Sequence, residues 1–148
     1  MQLPPLPESA IDIAAEADDW RAAVTLAGDA LARSGAAKST YSGEMIRMIE
    51  EHGPYVVIAP GLALAHARPG HYVLNDGLSV VTLAQPVNFG HPHNDPVGVI
   101  LGLAIKPGGE HLAAVAAIAN VFNDSSAIAE LAAATSAAQI QKIMGVVP

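Results

Sequence analysis

The most constraining stretch of this chain is Val97-Gly-Val-Ile-Leu-Gly-Leu-Ala-Ile105, a near-continuous apolar run between Pro96 and Lys106-Pro107-Gly108-Gly109. An apolar run of this length reads as a strand buried within a sheet, and the alternation of elements along the chain points to an α/β sandwich around that sheet. The rest of the chain supplies such elements. Ile11-Asp12-Ile13 alternates as a short edge strand. Asp18 is placed to cap a helix from Asp19 to about Ser34, with Trp20, Val24, Ala27 and Leu31 at helical spacing and Gly35 as its stop. Trp20 falls on that apolar stripe and reads as a core anchor. A second helix spans Tyr41 to His52, with Met45, Ile46, Met48 and Ile49 inward, Gly53 at its end, and Glu44, Glu50 and Glu51 as a solvated group. His52, in its last turn, suits the negative end of the helix dipole and reads as a cap.

A strand from Tyr55 to Ile58, a Pro60-Gly61 turn and a short apolar run lead to His66. Arg68 to Asp76 is a polar linker in which His71 is expected to face solvent, and Leu78 to Leu83 is a further strand. Pro86 to Pro96 reads as a loop. Helices are expected from Glu110 to Phe122, from a cap at Asp124 to about Ala134, and from the capping box Ser136-x-x-Gln139 to Gly145. The expected architecture is α/β, a single domain over 1–148 around one sheet, with 1–8 as a loose N-terminal arm.

Composition removes several function classes. Seven basic residues stand against fourteen acidic ones, a formal charge of −7, which disfavours nucleic acid and suits a partner with a basic face. Without cysteine there is no thiolate zinc site and no cysteine nucleophile. The first ten residues lack the basic-then-apolar pattern of a signal peptide, and the charge-free run Gly77 to Asn94 is broken by Pro86, Asn88 and histidines. No run approaches the roughly 20 apolar residues of a membrane span, so a cytoplasmic protein is expected. Gly-x-Ser-x-Gly and Walker sequences are missing as well.

The chemistry concentrates on histidines. His66 stands between Ala65 and Ala67 at the end of an apolar run, where little crowds the ring and a partner could reach its free nitrogen. The alternative is a half-buried structural histidine bonded to backbone. His111 follows Gly108-Gly109 at the start of a helix, a place that favours an anion, although it also suits any polar residue. His91 and His93, spaced i, i+2 with Asp95 beyond, could hold zinc in an extended loop. Pro92 and Pro96 favour a turn instead, with Asp95 bracing it.

Several segments together resemble the EIIA component of the sugar phosphotransferase system, in the mannitol/fructose superfamily, and most of all its ascorbate branch. They are Ser9 to Ile13 with Ala15-Glu16-Ala17 and Trp20, Gly53-Pro54-Tyr55 through Arg68-Pro69, Leu78 to Leu83, Asn94 to Val97, His111, and Asn120 to Asp124. The resemblance implies a mixed sheet of about five strands flanked by helices on both sides. It implies His66 as the phosphorylated nucleophile, His111 as the group that steadies the phosphoryl oxygens, and Arg68 as a candidate cationic neighbour. The implied donor is the carrier HPr and the implied acceptor a cysteine of an EIIB component, serving a membrane EIIC component and L-ascorbate uptake, with no cofactor or metal. A regulatory EIIA-like module, whose phosphorylation selects a binding partner, is the alternative. A homodimer and the identity of the sugar stay open at this point. Two departures stand out: Ala65 replaces the usual proline before the histidine, and Met48 takes the place of an arginine that the mannitol branch carries, with Arg47 beside it.

Overall fold

The computed structural model describes residues 3–124 and 126–146. A short 3-10 turn, Glu8–Ala10, precedes β1 (Ile11–Ala15), α1 (Trp20–Arg33), α2 (Tyr41–His52), β2 (Val57–Ala59) and β3 (Leu62–His66). Then come β4 (Gly77–Val87), β5 (Val97–Ala104), α3 (His111–Val121), α4 (Ala127–Ala133) and α5 (Ala137–Met144). The strands form one sheet in the order β1-β4-β5-β3-β2. Its pairs β1/β4 and β3/β5 are parallel, while β4/β5 and β2/β3 are antiparallel, so the sheet is mixed as expected.

The apolar run that begins at Val97 forms the middle strand, β5. Ile100 and Ala104 pack toward α1 and α2, whereas Val99, Leu101 and Leu103 pack toward α3, α4 and α5. The neighbouring β3 divides its side chains by size, with Ala63 and Ala65 toward α1/α2 and Leu62 and Leu64 toward the other helices. Small residues let α1 lie close on the sheet. Ser79 Oγ donates to the Ala27 carbonyl at 2.9 Å, and a side chain on Gly102 would come within 3.2 Å of that same oxygen.

Local chemistry corrects four expectations. Asp19, not Asp18, caps α1: it has extended backbone and its Oδ1 accepts from Ala22 N–H at 2.9 Å. β4 continues past Leu83 to Val87, because its far half is irregularly paired and largely exposed, which spares Pro86 the need for a ladder donor. The arm is pinned from Leu3 onward in the described residues. Leu6 is 2% exposed, Pro5 O accepts from Leu78 N–H and Leu6 O from Gln141 Nε2, each at 3.0 Å. A proline-rich segment has few donors, but its carbonyls are free to accept. Trp20 is only partly buried, against the α1/α2 core, with the Arg21 guanidinium 4.4 Å above its ring.

The final helix matches its capping box in half: Ser136 Oγ accepts from Gln139 N–H, while the returning Gln139 carbonyl takes the N–H of Thr135. Among the described residues no helix is long and apolar enough to cross a membrane.

Topology places the site. Because β3 and β5 run parallel, their carboxyl ends lie side by side, with His66 paired to Leu103. The Lys106–Gly109 turn after β5 then starts α3 at the same end, which returns His111 to His66. Carboxyl ends of parallel strands are a recurrent location for sites in α/β sheets.

Candidate functional site

His66 is the last residue of β3 and is half-buried. Its Nδ1 lies 2.8 Å from the Leu64 carbonyl. A carbonyl only accepts, so the ring proton is on Nδ1 and Nε2 carries the lone pair. Burial pushes the ring's pKa below the usual histidine value of 6.5, and the neighbouring His111 adds to this against the opposing pull of the Leu64 hydrogen bond. The ring is therefore neutral at pH 7, the state in which Nε2 is a nucleophile.

Other aromatic rings surround it. The His111 ring centroid is 5.7 Å away at 68°, and the Tyr55 centroid is 5.6 Å away at 88°, an edge-to-face contact. Tyr55 in turn meets His52 at 6.4 Å. All four rings line one open cavity of about 420 Å³, together with Met48, Ala67, Arg68 and Pro69. Arg68 is exposed at this cavity and is close enough to Tyr55 to bias the phenol toward ionisation against the larger effect of burial.

The structure thus brings together His66, His111 and Arg68, all named from sequence. Arg47 goes elsewhere: its guanidinium pairs with Glu44 and with Glu51 on the exposed side of α2. Met48 lines the cavity in its place. Leu62 and Leu64 of β3 are 0% and 2% exposed and pack in the core beneath the site. Apolar surface at this end comes from Met48 and Pro69, and Leu112, next to His111, is 85% exposed.

His91 and His93 lie at a turn. The Nδ1 of His91 accepts the N–H groups of His93 and Asn94, both at 3.1 Å, so it is spent on a turn. Asp95 Oδ2 braces the same turn by accepting from Phe89, Gly90 and His91 N–H. Among the described residues no three histidine, aspartate or glutamate side chains gather as for one metal ion.

Sequence reasoning missed two wall residues. His52 was expected only as a cap, yet it sits one turn after Met48 on the same face of α2 and reaches the cavity. Tyr55 was expected to begin a strand, but it precedes β2 and turns its ring to His66. The available signal was spacing: His52 lies at i+4 from Met48, the residue that stands where the mannitol branch carries an arginine.

Residues 5–145 match the family described as the phosphoenolpyruvate-dependent sugar phosphotransferase system, EIIA 2. The chain belongs to that family. It is 37% identical over 115 residues to the ascorbate-specific PTS system EIIA component of Escherichia coli K12, covering 77% of this chain and 75% of the relative. The component of the same name from Salmonella typhimurium is 35% identical over 133 residues, covering 89% and 86%. Among solved structures, the chain superimposes with a TM-score of 0.84 and 22% identity on the Escherichia coli complex of enzyme IIA mannitol with phosphorylated enzyme IIB mannitol, covering 95% of this chain and 97% of the other. This EIIA domain therefore has the fold of the mannitol-type components and sequence relatives named for ascorbate.

Proposed function

We propose that this EIIA domain is a cytoplasmic phosphocarrier that accepts a phosphoryl group from phospho-HPr on His66 and passes it to a cysteine of a cognate EIIB component. The observation that carries the reading is the pairing of Nδ1–H with Leu64 O, which leaves the lone pair on Nε2 of a ring that lines the same cavity as His111 and Arg68. In the accepting step the Nε2 lone pair attacks phosphorus. The new N–P bond forms as the donor's P–N bond breaks, and that electron pair returns to the donor imidazole. In the onward step a thiolate attacks the same phosphorus, an S–P bond forms, and the N–P pair returns to His66.

The protein's contribution is positioning and charge. His111 at the start of α3 and the Arg68 guanidinium offer donors to the phosphoryl oxygens, which gather charge during transfer. A net charge of −7 complements a donor with a basic face, and exposed Leu112 and Tyr55 give the contact an apolar part. The relatives named for ascorbate support L-ascorbate as the transported substrate, with uptake through a membrane EIIC component as part of this reading.

The test is transfer of acid-labile label from phosphoenolpyruvate through Enzyme I and HPr. Wild type is expected to acquire label and hand it to an EIIB cysteine, and His66→Ala to acquire none. Label in the His66→Ala protein would discard the assignment.

A further inference from the structure

His66 stands at the end of a strand, where pairing stops and the chain leaves through Ala67-Arg68-Pro69. A nucleophile there inherits the mobility of a strand end unless something holds it. Tyr41, the first residue of α2, is placed to do so. Its side chain is fully enclosed at 0% exposure, although it carries a hydroxyl. That hydroxyl accepts from the N–H of Ala67 at 3.1 Å and donates to the carbonyl of Leu103 at 2.8 Å. Leu103 is the residue that His66 faces across β3 and β5. One phenol oxygen therefore links the peptide immediately after the histidine to the strand beside it, one step beyond the last rung of the ladder.

The same peptide is met from its other side. The His66 carbonyl lies 3.4 Å from the Tyr55 hydroxyl, a long contact at the surface. The imidazole is held separately through Nδ1 and Leu64 O. With the ring tied to residue 64 and the following peptide tied to residue 103, little torsional freedom remains to redirect Nε2. Desolvation pushes the Tyr41 hydroxyl up to about 12, so it keeps the proton that Leu103 O accepts.

We propose that Tyr41 is a positioning residue for phosphoryl transfer at His66, clamping the His66–Ala67 peptide to β5 so that Nε2 is presented to the incoming phosphorus in one direction. The proposal rests on His66 being the acceptor. Tyr41 touches neither phosphate nor partner, so its loss should slow the chemical step and leave donor binding alone. Misplacement of a reacting atom by about 1 Å can cost 10²-fold, and a loosened rather than displaced ring should cost about tenfold.

The experiment uses the full chain and phospho-HPr in single-turnover transfer, alongside amide hydrogen exchange. In wild type the Ala67 amide is expected to exchange as slowly as the β3/β5 ladder amides, although it lies beyond the strand. Tyr41→Phe keeps the ring and removes only the oxygen. It should lower the saturating transfer rate about tenfold with unchanged half-saturation by donor, and speed Ala67 exchange. Ile118→Val, in the core on the opposite face of the sheet, serves as the control for lost stability and should transfer at the wild-type rate. Wild-type transfer by a folded Tyr41→Phe protein, or equal slowing in the Ile118→Val control, would overturn the proposal. If Tyr41→Phe does not fold, wild-type exchange decides: an Ala67 amide as labile as exposed loop amides overturns it, and a protected one upholds it. Unaltered protein that takes no phosphate on His66 would instead remove the underlying reading, a failure visible before any variant of Tyr41 is made.

Discussion

At position 66 a single proton decides the chemistry. The fold favours the neutral ring, so the folded chain binds fewer protons than the unfolded chain once pH falls below the ordinary histidine value of 6.5. Stability at this group is therefore present above that value and declines as pH drops toward the lower folded pKa. Two outcomes are expected. The rate of phosphoryl acceptance should fall on acidification with a midpoint below 6.5, read by transfer assays across pH. The acid-side decline in unfolding free energy should be shallower in His66→Ala, read by urea titration. For His111→Ala, acceptance is expected to persist while transfer to EIIB slows, because the phosphoryl oxygens lose a donor; unchanged onward rates would remove its role. That His66, His111 and Arg68 share one cavity was foreshadowed in the sequence, because the family resemblance names all three. Tyr41 and Tyr55 were not legible there, since a tyrosine beginning a helix and one before a strand look like packing until the chain is folded. Ala65 is instructive in the same way. Where the family places a rigid proline, this chain buries alanine in β3, paired with Gly102, so rigidity comes from the ladder.

Helices α1 and α2 meet at close range, and a glycine makes that possible. A Cβ on Gly28 of α1 would sit 2.5 Å from Ser42 Cβ and 2.9 Å from its Cα, which is backbone of α2 and cannot swing aside. Gly28→Ala gains about 1 kcal/mol in helix propensity but forces the helices apart at a cost of about 1–3 kcal/mol. Net destabilisation of about 1 kcal/mol is expected, measured as a lower denaturant midpoint; a more stable variant would contradict the close packing. The boundaries of α2 and β5 were readable because apolar periodicity and a terminal Gly53 or Pro96 agree there. Disagreement marks the misses. Pro86 argued for a loop, yet the sheet tolerates it where pairing is irregular and the strand exposed. Asp18 was expected to cap α1, and backbone geometry makes its neighbour Asp19 the cap.

Across the whole molecule, two parallel strands end together and the next helix begins at that end, so residues 45 positions apart in sequence put their rings 5.7 Å from each other. That juxtaposition could not be read from periodicity, because strand order is set by long-range pairing; the family resemblance supplied it. The acidic surface belongs to this scale as well. With a net charge of −7, docking to a basic donor should weaken as salt screens it, seen as a rising half-saturation for phospho-HPr with little change in the saturating rate. The most direct measurement is nitrogen and phosphorus NMR of the protein after phosphorylation by phosphoenolpyruvate, Enzyme I and HPr. Phosphorus bonded to Nε2 of His66, with the proton retained on Nδ1, is expected. Phosphorus on Nδ1, or on His111 or any other residue, would contradict it.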